Sequence, residues 1–218
     1  THLKIYHKLF TLSTIAIIAI AIALAYHLFV GKTAAFMLIN QIHHPFFDQF
    51  FKYYTNFGDG LIWIPVLVYT YFYAKNKVSL VVTNFALSSL FAIILKKLIF
   101  PQAMRPSVLL QQGYQLHFVE GLKIHSSNSF PSGHTLTAFA VAFTIIMLIK
   151  KNNQFKYLFL FMAFLVGYSR VYLAQHYPID AIFGAIVGIF STYLSLQLTA
   201  YFKQLFKKRK RAISVELS

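Results

Sequence analysis

Three short stretches of this 218-residue chain gather the side chains that could do chemistry: Lys97 with Arg105-Pro106, then Pro131-Ser132-Gly133-His134, then Ser169-Arg170 followed by His176 and Asp180. Lys97, Arg105 and Arg170 together offer three positive charges, and the two guanidinium forks match the oxygens of a phosphate group. Pro131 and Ser132 open a predicted helix, whose unpaired amides and positive dipole end favour an anion. Gly133 lets its amide approach that anion with no side chain in the way. Imidazole serves as nucleophile or proton donor near neutral pH. Asp180, in the first turn of a helix that starts near Pro178, can accept the Nδ1 proton of His176 and leave Nε2 free to attack phosphorus. His134 is then left to protonate the departing oxygen. The chemistry these residues suit is transfer of a phosphoryl group.

Taken singly, the same residues have plainer uses. Arg105 or Arg170 alone serves equally well as an interfacial anchor, and Pro-Ser-Gly-His alone reads first as a helix start. The third cluster is the specific one. Of the nine histidines, the adjacent His43 and His44 and the loop residues His117 and His125 are the other notable ones. With no cysteine and only 5 Asp and Glu, no metal site is expected, and a thiolate site or disulfide is impossible. Asn56 to Gly60 reads as a polar turn or cap before a helix, with a head-group contact as the lesser reading.

The elements that must position these groups are membrane helices. The composition is 58% hydrophobic and 11% charged, with a mean hydropathy of +0.61. A segment of about 20 apolar residues crosses the hydrocarbon core as a helix, because every amide there must be bonded within its own segment. Six segments qualify: Leu9 to Val30, Leu61 to Ala74, Ser79 to Phe100, Ser132 to Ile149, Phe155 to Ala174 and Ile179 to Phe202. The expected fold class is all-α, a polytopic bundle of six transmembrane helices, with residues 1–218 forming one domain. The aromatic-rich stretch from Gln41 to Phe57 suits the head-group level.

Six spans put both termini on one side. Thirteen of the 20 basic residues then fall on that side, among them Lys4, Lys8, Lys75, Lys77, Lys150, Lys151, Lys156 and the six in the tail 203–218. Positive charge marks the cytoplasm, so both termini are expected there and the loop 101–131 outside. The formal charge of +15 is accounted for by such membrane-end residues and by anionic lipid, without nucleic acid as a partner.

In order and spacing, the three clusters resemble the signatures of the type-2 phosphatidic acid phosphatase superfamily. The resemblance implies a six-helix core, no metal or other cofactor, and a phosphohistidine intermediate hydrolysed by water. By position it makes His176 the nucleophile, Asp180 its orienting partner and His134 the general acid, with Lys97, Arg105, Ser132, the Gly133 amide and Arg170 holding the phosphate. One departure concerns the lysine. The family pattern leaves six residues before the Arg-Pro pair, whereas seven separate Lys97 from Arg105, so Leu98 stands in the usual place. A one-residue bulge near Pro101 would restore Lys97, and Lys96 faces about 100° away around the helix. The implied partners are the bilayer and a lipid phosphate or diphosphate, of the phosphatidic acid, phosphatidylglycerol phosphate, undecaprenyl diphosphate or lipid A type. No obligate protein partner is inferred. The implied location is a bacterial inner membrane, with the site facing the periplasm. Two rivals stand beside hydrolysis: a lipid phosphotransferase with the same nucleophile, and an anion or lipid transporter or inactive lipid-binding relative. A vanadium-dependent peroxidase shares the anion-binding residues but is soluble and larger.

Overall fold

The structure, a computed structural model, describes residues 2–149 and 154–216. Lys150 and Lys151, counted above in a loop, and the last two residues of the basic tail lie outside the described residues. Eight α-helices follow in order: α1 (His2–Val30), α2 (Lys32–Asn40), α3 (Pro45–Tyr54), α4 (Trp63–Tyr73), α5 (Val78–Ile93), α6 (Gly133–Leu148), α7 (Phe155–Tyr172) and α8 (Pro178–Glu216). Short 3-10 turns and one π-helical stretch complete the regular structure, and no strand occurs among the described residues. Three stretches are long and apolar enough to cross a membrane: Thr11–Val30, Lys75–Ile99 and Pro178–Arg209. Gly60–Tyr73 and Gly133–Leu148 are apolar but shorter.

The centre of the bundle is α6, packed by α5, α7 and α8. Leu136, Phe139, Phe143 and Ile146 on it are almost wholly buried. Its closest neighbour is α8, and the reason is the Gly184-x-x-x-Gly188 pair. A Cβ at Gly184 would sit 2.6 Å from the Ser132 carbonyl oxygen, and one at Gly188 would meet the Leu136 carbonyl oxygen and stand 2.9 Å from Phe139 Cβ. Where lipid removes the hydrophobic drive between helices, small residues of this kind let two backbones come close enough for dispersion to act.

A polar node locks the same helices at mid-length. Asn84 of α5 donates to Thr144 Oγ1 of α6 at 2.8 Å and to Thr192 Oγ1 of α8 at 2.9 Å, while Ser191 donates to Asn84 Oδ1 at 2.9 Å. Such bonds between membrane helices are worth about 0.6 kcal/mol each on average, so the node fixes register more than it adds stability. At one end of the bundle Lys203 Nζ donates to the Asn76 carbonyl at 2.9 Å, which ties the basic part of α8 to the start of α5. The other end of α5 reaches the candidate site, so the basic end and the site are at opposite ends of the molecule.

α1 packs one side, through Leu12, Ala16 and Ile20, and leaves Ile17, Ile18, Ile22, Leu28 and Phe29 exposed, an apolar surface suited to lipid. α3 carries the aromatic stretch along the bundle's flank. Pro45 begins it, His44 Nδ1 accepts from the Phe46 amide at 3.2 Å, and Phe51 buries against Tyr172 with ring centres 4.8 Å apart. Asp59 likewise caps the turn before α4, accepting from the Leu61 amide at 2.9 Å.

Replacing Gly188 with Leu is expected to force α6 and α8 apart. Overpacking of this kind costs about 1–3 kcal/mol, to be read as a lowered midpoint in thermal unfolding of the detergent-purified protein, with Ile186→Leu on the exposed face unchanged.

Candidate active site

His176 lies in the five-residue connection between α7 and α8 and is 1% exposed. Its backbone amide donates to the Arg170 carbonyl at 3.0 Å, as does that of Gln175, and Ala174 turns the chain with a left-handed φ of 53°. This tight turn places the ring beside the first turn of α8. There Nδ1 is 3.3 Å from Asp180 Oδ2, a carboxylate that also accepts from the Tyr177 amide at 3.0 Å. Asp180 therefore orients the imidazole and leaves Nε2 directed away from it. Burial, then the charges of Arg170, Arg105 and Lys96, holds the His176 ring well below its ordinary pKa.

One partner escaped the sequence reading. Ser129, 1% exposed, donates its hydroxyl to Asp180 Oδ2 in a short hydrogen bond and lies 3.4 Å from His176 Nδ1. It stands in an irregular segment just before α6, where neither spacing nor periodicity marks it.

Ser132 is the N-cap of α6 and the helix begins at Gly133, one residue after the expected segment opens. Its Oγ accepts from the Thr135 amide at 3.4 Å and from Thr135 Oγ1 at 2.9 Å, leaving its hydroxyl proton to donate. Its own amide donates to the Asp180 carbonyl at 2.9 Å, which pins the start of α6 to the start of α8. Gly133 and His134 form the first turn of α6. The charges of Arg170, Lys96 and Arg105 and the His176 ring all lie near enough to act on His134.

The cations converge from three elements. Arg170, in the last turn of α7, is 7% exposed, donates one bond to Thr55 Oγ1 at 2.8 Å, and has its Nε buried without a partner. Arg105, in the loop, is 9% exposed and held by carbonyls: Nε donates to Ser127 at 2.9 Å and an Nη to Gln175 at 2.9 Å. Burial holds its guanidinium below the ordinary arginine pKa, opposed by Asp180, although arginine stays charged at any ordinary pH.

The third cation is a correction to the expectation from spacing. Lys97 is exposed, and Lys96 turns inward instead. Its Nζ donates to the Asn128 carbonyl at 3.3 Å, and it comes within 3.7 Å of where a Gly133 Cβ would stand. The cause is local. Residues Ile94–Ile99 continue α5 as a π-helix, with the Phe100 amide donating to the Leu95 carbonyl five residues back. A π-turn takes more residues per revolution than an α-turn, so positions past Ile93 fall behind the α-helical face count. The reading of one face from an ideal 100° step therefore fails at the end where it mattered.

The loop 101–131 covers the site as a packed structure. A 3-10 helix at Pro106–Gln112 is followed by irregular chain, held by the Arg105 amide on the Ser126 carbonyl at 2.8 Å and the Ser129 amide on the Ala103 carbonyl at 2.9 Å. Asn40 grips His117 at both backbone groups, 2.9 Å each. His117 Nε2 is 3.0 Å from both Asp48 oxygens, and Tyr172 donates to Asp48 Oδ1 at 2.6 Å. Partial desolvation pushes Asp48 up, but the bonds from Tyr172 and His117 outweigh it and lower its pKa. That contribution to stability is present at neutral pH and lost as the pH falls through the lowered value. His125 is exposed at the rim, held below its ordinary pKa by partial desolvation and then by Arg105, Lys123 and Arg170. Beside Asp180 lies an apolar recess of about 490 Å³, lined by Leu95, Phe100, Met104, Phe130 and Phe183, with Lys32 at its edge.

Thr55 reaches Arg170 because Gly58 lets its turn lie on α6: a Cβ there would be 2.6 Å from the His134 carbonyl oxygen. Among the described residues no three His, Asp or Glu side chains converge as for a metal.

The family model of the PAP2 superfamily matches residues 77–204, which hold Lys96, Arg105, Ser129, Ser132, Gly133, His134, Arg170, His176 and Asp180. The chain is 32% identical over 172 residues to the lipid A 4'-phosphatase of Bacteroides thetaiotaomicron, covering 74% of each protein. It is 28% identical over 166 residues to the undecaprenyl-diphosphatase of Sulfolobus acidocaldarius, covering 75% of this chain and 76% of that one. The crystal structure of Aquifex aeolicus LpxE superimposes with a TM-score of 0.66 at 31% identity, over 76% of this chain and 94% of the other. The chain belongs to the PAP2 superfamily.

Lys96→Met is expected to weaken inhibition by inorganic phosphate or vanadate by about tenfold or more, the loss of one charge-assisted hydrogen bond. Lys97→Met is expected to stay within about twofold of the parent. Inhibition constants for the two variants, measured in one preparation, decide between the lysines.

Proposed function

We propose that this protein is a phosphatase of the membrane, releasing the terminal phosphate of a lipid phosphate or diphosphate through a covalent intermediate on His176. The observation that carries the reading is Arg170: a guanidinium 7% exposed whose Nε is buried without a partner, next to a histidine oriented by a buried carboxylate. An unpaired buried N–H on a cation is costly, and the oxygens of a phosphate remove that cost.

In the proposed sequence the lipid phosphate enters among Arg105, Arg170, Lys96, the Ser132 hydroxyl and the Gly133 amide. His176 Nε2 attacks phosphorus as the bond to the lipid oxygen breaks, and His134 gives that oxygen its proton. Asp180, steadied by Ser129, holds the Nδ1 proton and balances the positive charge that develops on the His176 ring. Water then attacks phosphorus, passing a proton to His134, as the bond from phosphorus to His176 Nε2 breaks; the electron pair returns to the ring and inorganic phosphate leaves. The cations stabilise charge on the transferring group throughout, and no cofactor is invoked. The apolar recess beside Asp180 gives the lipid's hydrocarbon a place next to the reacting phosphate.

The substrate class rests on the relatives, which act on lipid A and on undecaprenyl diphosphate. The same reading sets the topology. The six apolar segments correspond to α1, α4, α5, α6, α7 and α8, all six span the bilayer, the Lys203 end is cytoplasmic, and the site opens to the periplasm of a bacterial inner membrane. The arrangement at His176 favours nucleophilic chemistry on phosphorus over transport, since a carrier has no use for an oriented nucleophile.

Phosphate release by purified protein across lipid A, undecaprenyl diphosphate, phosphatidic acid and phosphatidylglycerol phosphate is expected to show turnover without a second lipid as acceptor. Release that appears only with an acceptor lipid present would make the protein a transferase. His176→Ala is expected to lower kcat by about 10³-fold or more, and His134→Ala by about 10²–10⁴-fold, most with poor leaving groups. Near-normal turnover in His176→Ala would remove the nucleophile from the scheme.

Because the ring of His176 is held below the ordinary value of about 6.5, its neutral, attacking form persists below that pH. The acidic limb of kcat/KM is expected below pH 6.5 and to move upward in Arg105→Gln, where one repelling cation is gone; a limb unmoved by that change would argue against the electrostatic account.

A further inference from the structure

A second recess lies across α8 from the catalytic carboxylate. The first two turns of α8 present Pro178, Ala181, Ile182 and Ala185 to it, while Ile179, Asp180 and Phe183 face the recess beside the site. Its volume is about 190 Å³, and α1, α2, α6, α7 and α8 all contribute to its walls. Ala35 and Phe139 at its floor are buried, whereas Ala23 and Tyr26 of α1 and Tyr168 of α7 at its edge are exposed. It therefore opens sideways between α1 and α7, on the flank where α1 shows Ile22 and other apolar side chains, the surface of a membrane helix that meets hydrocarbon.

One atom is out of keeping with this apolar room. His27, which lines it, is 7% exposed, and its Nδ1 is buried with no hydrogen-bond partner. Leaving such a group unpaired is unfavourable, and buried polar groups in folded proteins are almost always bonded. Ile20, Ala23 and His27 follow one stripe of α1, three and four residues apart, so the recess runs along that helix. His27 stands one turn before the helix ends at Val30, where head groups begin, and Ile20 lies deeper.

We propose that this recess is a binding site for a second membrane lipid, separate from the substrate. The lipid's hydrocarbon chain lies along Ile20 and Ala23, and a hydroxyl or ester oxygen at the head of that chain is hydrogen-bonded by His27 Nδ1. A bilayer lipid is the occupant that the surroundings supply, and its chemistry matches a mainly apolar trough that ends in one buried, unpartnered polar atom. The substrate is excluded on charge and position. No Lys, Arg, Asp or Glu lines the recess, so it offers nothing to a phosphate, and the first turns of α8 stand between it and Asp180.

The test uses the full chain in vesicles of phosphatidylethanolamine and phosphatidylglycerol containing a small fraction of phospholipid with a photoreactive diazirine in its acyl chain. After illumination, labelled peptides are mapped by mass spectrometry. Labels are expected to concentrate on the segments 20–27 and 164–168. Ala23→Phe, an exposed position outside the catalytic machinery, closes the mouth and is expected to cut labelling there at least fivefold. His27→Leu, which keeps the volume but removes the polar atom, is expected to lower the amount of tightly retained lipid about tenfold in native mass spectrometry. Labelling spread evenly over the exposed faces of α1, or unchanged by Ala23→Phe, overturns the proposal. The readout is the position of a label and needs no turnover, so it stands or falls separately from the reaction proposed above.

Discussion

The contact on which the site depends is the near touch of two helix backbones. Gly184 and Gly188 let α8 lie against α6 at a distance no side chain would permit, and at the end of that seam the Ser132 amide bonds the Asp180 carbonyl. The N-terminal cap of α6, whose free amides favour an anion, and the His176–Asp180 pair thereby come to one level. Asn84 repeats the constraint lower down by bonding α6 and α8 at once. Sliding either helix by a turn would break the polar node and separate the two halves of the site together.

The charge in the pocket is unbalanced by design of the surroundings. Lys96, Arg105 and Arg170 meet one buried carboxylate, and that carboxylate is already engaged by Ser129 and the Tyr177 amide. What keeps the cations in place is neutral oxygen: carbonyls of Ser127, Asn128 and Gln175 and the hydroxyl of Thr55. Such partners orient a charge without cancelling it, so the pocket retains an appetite for an anion that ion pairing would have removed. Burial first, and then the same excess of positive charge, depresses the basicity of His176 and favours its neutral form.

The loop 101–131 closes over this end of the bundle. It is fastened by Asn40 on the His117 backbone, by the Asp48 carboxylate between His117 and Tyr172, and by Leu109 and Val119 packed against Phe36 and Phe51. Several of those fasteners come from α2 and α3, short helices that contribute no side chain to the pocket of Lys96, Arg105, Arg170 and His176. Their aromatic composition suits the head-group level, and in the fold that same composition supplies the surface on which the loop rests.

Much of this was legible in the sequence. Six apolar stretches announce helices by their length and composition, and each is helical among the described residues. That His176, Asp180, His134, Arg105 and Arg170 would lie together was also legible, since their types and order suit one anion cradle, and the structure brings them to one pocket. Tertiary structure decided the rest, for identifiable reasons. Lys96 replaces Lys97 because a π-turn changes the angular step per residue, a property of hydrogen bonding that no count along the chain contains. Ser129, Thr55 and Gln175 join the site because loops bring them there, and a loop carries no periodicity from which to infer a direction. Local rules fix which groups exist and which helix each belongs to; which groups touch is fixed only when the helices choose their distances, and here glycines at one interface made that choice.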